Sequence, residues 1–168
     1  MKSRFVIAVL LVIALAVPVL MLAQGSNKDQ LVGTYRLVGF QRTIVATGEV
    51  TEPLGKTPKG YAVYGKDGRM TLIFVGDKRP KPSDLATMTD QERAGLFKTM
   101  LALSGTYNFD GKILTFQPDV TWNDIWTGSQ QKRNVEFDGR KLVLTTFPAP
   151  ASADGKVSVI VVTMEKVD

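Results

Sequence analysis

From Leu31 to Glu165 the chain breaks into short runs rich in Val, Ile, Thr, Phe and Tyr, separated by polar turns. Four Asp-Gly pairs punctuate the pattern: Asp67-Gly68, Asp110-Gly111, Asp138-Gly139 and Asp154-Gly155. Asp-Gly supplies the positive backbone angles of tight hairpin turns, so each pair predicts two adjacent antiparallel strands. The runs place strands at 31–45, 50–52, 60–65, 69–75, 105–109, 112–118, 129–137, 141–147 and 156–165. One segment has helical spacing instead. Thr89 and Glu92 form a capping box, and Ala94, Phe97 and Leu101 share a face, which predicts a helix from Asp90 to about Leu103.

A meander of this length has two edges and one apolar face to hide. Closure into an antiparallel barrel hides all three, whereas a sandwich needs longer crossings than Asp-Gly turns provide. The expected fold is therefore all-β, a mostly antiparallel up-and-down barrel with one inserted helix near 90–103. Gly39 is expected to relieve bending within the long first strand.

Ahead of the meander the pattern changes. Met1 to Arg4 carries two positive charges, and Phe5 to Ala23 carries none. Such a run is a signal sequence or a membrane anchor, and the positive-inside rule sends everything after Gln24 across the membrane. The division expected is 1–23 for targeting, 24–30 as linker and 31–168 as one barrel domain. That places the protein outside the cytoplasm, periplasmic or held at the outer side of the inner membrane through residues 5–23.

Composition then removes whole classes of chemistry. The 168 residues include no Cys and no His, so no disulfide, thiol nucleophile, histidine base or histidine metal ligand exists. No metal, cofactor or catalytic residue is expected. Two units of the formal charge of +5 come from Lys2 and Arg4, and the remaining charges are interspersed, which argues against a nucleic-acid partner. The basic run Lys78-Arg79-Pro80-Lys81-Pro82 reads as a solvated loop, with contact to anionic lipid as the alternative.

Several motifs, in order, carry a resemblance. Gly33-Thr34-Tyr35 is followed by Pro53-Leu54-Gly55, then Pro58-Lys59-Gly60-Tyr61-Ala62-Val63-Tyr64 and Asp67-Gly68-Arg69-Met70. Later come Ser104-Gly105-Thr106-Tyr107, Trp122-Asn123, Trp126-Thr127-Gly128, Gln131 with Arg133, and Leu142 to Thr146. The set resembles the lipocalin-like domain family of bacteria and fungi. The resemblance implies a calycin-type barrel with an internal cavity, with Tyr35 in place of the Trp of the calycin Gly-x-Trp strand.

Candidate binding residues follow from strand parity. Gln131, Arg133, Val135 and Phe137 share one face, and Lys132, Asn134 and Glu136 the solvent face, so Arg133 is expected to point inward. There it needs either a structural partner or a ligand anion. Tyr61, Tyr64, Tyr107, Trp122 and Trp126 offer apolar surface with polar tips, suited to orienting an amphipathic molecule, although an aromatic on a strand is more often core. The two tryptophans lie between strands and are assigned to the barrel mouth. Asp119 and Asp124 lie in one loop and could form a glycosidase-type carboxylate pair, but the reading favoured is ordinary loop solvation. Three functions remain open: a binding module for a small hydrophobic or amphipathic molecule, a metal-free isomerase or cyclase, and a filled barrel acting through its outer surface. Oligomeric state is left open.

Overall fold

The computed structural model of the protein describes residues 27–167, so the apolar segment at 1–23 lies outside the described residues. A short 3-10 turn, Asn27–Gln30, replaces the last part of the expected linker. Ten strands follow: β1 (Gly33–Ile44), β2 (Val50–Thr51), β3 (Lys59–Tyr64), β4 (Arg69–Val75), β5 (Met100–Phe109), β6 (Ile113–Thr121), β7 (Gln131–Asp138), β8 (Lys141–Thr146), β9 (Ala149–Pro150) and β10 (Val157–Lys166). The helix α1 (Asp90–Lys98) joins β4 to β5. Every pairing is antiparallel, and β1 pairs with both β3 and β10, which closes eight strands into an up-and-down barrel with β2 and β9 as short flaps.

The Asp-Gly pairs do join neighbouring strands, by a different turn from the one expected. Only the glycines have positive φ, at 83°, 104°, 58° and 71°; the aspartates do not. A two-residue type I′ turn would need both. Instead the aspartate side chains bind the backbone of the turn itself. Asp67 Oδ1 accepts from the Arg69 amide at 2.9 Å, and Asp110 Oδ1 accepts from Lys112 and Ile113 at 2.8 and 2.7 Å.

The helix is shorter than expected. Its capping box forms, with the Glu92 amide donating to Thr89 Oγ1 at 3.2 Å and the Thr89 amide donating to Glu92 Oε2 at 2.8 Å. It stops at Lys98, because Met100 to Leu103 pair with Val75 to Leu72 as strand. Phe97 and Leu101 are four apart, which suits a helix. Leu101 and Leu103 are two apart, which suits a strand, and the ladder of β4 supplies the backbone partners that favour the strand.

Inward positions alternate along each strand and pack into one core, including Tyr35, Leu37, Tyr64, Phe74, Phe109, Leu114, Phe116, Leu142 and Met164. A bulge between Leu37 and Gly39 shifts the alternation of β1, so Phe40 and Ile44 are buried after it. At one end the barrel has a floor. Leu31 is buried beneath the 3-10 turn, Lys166 Nζ donates to the Val32 carbonyl at 2.9 Å, and the turns at Asp67, Asp110 and Asp138 close the strands. The other end holds the longer connections, α1 included.

Candidate functional site

Three tyrosines form an edge-to-face chain across the closed half. Tyr35 and Tyr64 have ring centroids 5.9 Å apart, and Tyr64 and Tyr107 5.2 Å. Cations cover its two ends, Lys166 over Tyr35 at 5.8 Å and Lys28 over Tyr107 at 5.4 Å. Tyr35 thus fills the closed end where the calycin pattern has Trp. The Tyr107 hydroxyl is committed to the floor, donating to the Gly65 carbonyl at 2.9 Å.

Tyr64 is different. It is 1% exposed, and its hydroxyl is buried with no hydrogen-bond partner among the described residues. Burial drives the phenol well above its ordinary pKa, so it stays neutral; the nearby Arg133 cation partly opposes that shift. Arg133 shares the inward face of β7 with the buried Val135, as its parity predicts. Its guanidinium lies over the Phe116 ring at 5.2 Å and donates to the Lys132 carbonyl and to Gln131 Oε1, each at 2.8 Å.

Among the described residues, the ion pairs are made by Arg36, Arg42, Arg69 and Arg93; Arg133 has no carboxylate partner. Loss of water pulls its pKa down to about 10, which still leaves it a cation at neutral pH. The structure therefore brings together an uncompensated cation and an unsatisfied hydroxyl, walled by aromatic and aliphatic side chains.

The tryptophans sit at the open end. Trp126 is partly buried and packs against the core. Trp122 meets Trp126 edge-on at 4.8 Å, stacks on Phe97 at 5.9 Å and donates its Nε1 proton to the Phe97 carbonyl at 3.3 Å. It fastens α1 to the rim. Tyr61 belongs elsewhere. It is 53% exposed on the outer wall, because it lies three residues from the inward Tyr64 and so takes the opposite parity. It joins neither the inward group of Tyr64, Tyr107 and Arg133 nor the two tryptophans at the rim.

Sequence reasoning missed a second inward arginine. Arg42 donates to both carboxylate oxygens of Asp154, at 2.6 and 3.0 Å, and to Ser158 Oγ at 2.9 Å. Strict alternation from Tyr35 would point Arg42 outward, and only the bulge at Gly39 turns it in. This arginine is compensated and ties the Asp154-Gly155 turn across the rim. The Asp154 carboxyl is held below its usual range chiefly by that hydrogen bond.

Asp119 is likewise engaged. It forms a bidentate ion pair with Arg69 on the outside of the barrel, and this lowers its pKa, which removes it as a proton donor. Among the described residues, no group of three or more acidic side chains converges to hold a metal ion. Two grooves flank the open end. One of about 430 Å³ lies between Pro80 and α1, and one of about 180 Å³ lies beside Leu54 and Asp77. None of the six predicted site residues lines either.

A closed, eight-stranded, up-and-down barrel with a floor, a rim of longer connections and an inward cation has the architecture of the calycins. The sequence profile of the lipocalin-like domain matches residues 32–167, and the chain belongs to that family. No curated protein matches the chain.

Proposed function

We propose that this chain is an exported binding protein that holds a small amphipathic molecule, its anionic head inward, inside the barrel. One observation carries the reading: among the described residues, Arg133 has no carboxylate partner and the neighbouring Tyr64 hydroxyl has no hydrogen-bond partner. Arg133 is half-buried, and a cation partly withdrawn from water costs free energy that an ion pair returns. An unsatisfied hydroxyl costs roughly a further 1–3 kcal/mol. A carboxylate or similar anion accepting from both groups offsets the two costs at once, while its apolar tail meets Phe116 and Trp126. Export follows from the uncharged run Phe5 to Ala23, which serves as a signal or holds the domain at the outer face of the inner membrane.

Native mass spectrometry of gently purified full-length protein tests the reading directly, with a fatty-acid fluorophore as probe. The expected result is a copurifying or added amphiphile bound one to one. Arg133→Met abolishes binding of the carboxylate probe and keeps the fold, and Tyr64→Phe weakens it several-fold. From about pH 6 to about pH 9, where the ligand carboxylate and Arg133 are both charged, the affinity is flat; it falls as pH rises through about 10, where Arg133 loses its charge, and again in acid as the ligand carboxylate is protonated. A ligand-free protein that ignores a panel of charged and neutral hydrophobic fluorophores sinks the proposal. Protease accessibility of the domain in spheroplasts tests the address.

A further inference from the structure

Gln131 and Arg133 are two residues apart on β7 and share its inward face. Their cross-strand neighbours bring no charge: Phe116 lies opposite Gln131, Leu114 and Thr146 lie opposite Arg133, and the Thr146 hydroxyl accepts from the Ile160 amide at 2.8 Å. Among the described residues, the side-chain acceptor that meets the Arg133 guanidinium is Gln131 Oε1, at 2.8 Å. The orientation of that amide is set from its other end. Ser129 Oγ donates its proton to the Trp126 carbonyl at 2.7 Å, so its oxygen is left to accept from Gln131 Nε2 at 3.4 Å. The amide nitrogen therefore faces the serine, and the amide oxygen faces the cation. The guanidinium is held at one edge by a neutral group whose own geometry is fixed by the rim segment that carries Trp126.

Arg42 shows the other solution. It too meets a hydroxyl, Ser158 Oγ at 2.9 Å, but the Asp154 carboxylate accepts from both of its terminal nitrogens at 2.6 and 3.0 Å and neutralises it. The hydrogen bond to Asp154 raises the pKa of Arg42, whereas loss of water lowers that of Arg133 to about 10. Glutamine and glutamate have the same shape, so at position 131 a single atom separates the two outcomes. We infer that Gln131 is a positioning residue that sets the selectivity of the barrel for an anionic head: it orients the Arg133 guanidinium without neutralising it and so leaves the charge to the ligand. The inference rests on the binding reading above and adds the residue that decides which head group is taken. A carboxylate at position 131 would occupy the cation from within the chain, as Asp154 does at Arg42, and the lumen would then favour a neutral amphiphile.

Fluorescence titration of the full-length protein with two probes tests it, a fluorophore-tagged fatty acid and the alcohol of the same chain length. Wild type is expected to prefer the acid. Gln131→Glu weakens binding of the acid roughly 100-fold and leaves the alcohol where it was, because a close charge pair within the chain replaces the one made with the ligand. Gln131→Met, which removes the acceptor and adds no charge, weakens the acid about tenfold and again spares the alcohol. A residue that merely supported the fold would lower both probes together, and that outcome overturns the inference. So does a Gln131→Glu protein that keeps the acid's affinity. Should Gln131→Glu fail to fold, Gln131→Met carries the test through the same ratio of acid to alcohol. A wild type that binds the acid and loses it on Arg133→Met, while both Gln131 variants match wild type, overturns this inference alone. A wild type that binds neither probe removes the binding reading and this inference with it.

Discussion

At the closed end, short Asp-Gly turns join adjacent strands, three tyrosine rings interlock, and lysines from the two ends of the domain lie over the outer rings. At the open end the chain runs from 76 to 99 between two paired strands, and its helix buries no residue. One end is held by side chains packed on every side. The other is held by a few discrete fastenings: Trp122 to Phe97, Arg42 to Asp154, and Asp77 to Thr57. The difference separates the part of the barrel that sets stability from the part free to vary around a ligand's route, which is where local opening is least costly.

The largest expected effect is at the floor. Tyr35→Ala removes a ring that is 2% exposed and leaves a cavity, costing about 3–5 kcal/mol in urea denaturation. A loss under 1 kcal/mol there would erase the contrast between the ends. Gly105→Ala follows. Its new Cβ would lie 2.2 Å from the Gln117 carbonyl oxygen, where the ladder of β5 and β6 cannot yield, and about 1–3 kcal/mol is lost.

The rim's fastening is sensitive to acid. Asp154 has a depressed pKa in the folded state, so its contribution is present above the unfolded value of about 4 and disappears as pH falls through the folded one. Asp154→Asn therefore lowers the thermal midpoint at pH 6 and narrows the gap to wild type at pH 2. The smallest effect belongs to Phe97→Ala on α1, with roughly 0.5 kcal/mol or less in stability. Its signature is a shift in the tryptophan emission of Trp122. A loss matching that of Tyr35→Ala would show that α1 is part of the core after all.

Much of the fold was legible because it rests on local chemistry. The Asp-Gly pairs marked strand junctions, the capping box at Thr89 and Glu92 marked the helix start, and the parity of β7 turned Arg133 inward. The helix end was not legible, since Phe97, Leu101 and Leu103 satisfy both periods until β4 supplies its ladder. Tyr61 was grouped with Tyr64 by residue type, although spacing alone separates their faces. Arg42 was hidden by a bulge that no single residue declares.

What the sequence by itself determined was composition and periodicity. It specified an antiparallel meander of alternating strands, an uncharged leading segment, and an interior without His or Cys. Tertiary structure decided which cations are compensated. Arg42 and Arg133 both face inward, yet among the described residues Arg42 pairs with a carboxylate, on the Asp154 turn that folds back over β1, and Arg133 pairs with none. Pairing between residues more than a hundred positions apart is set by closure of the barrel, and that is a property of the packed chain.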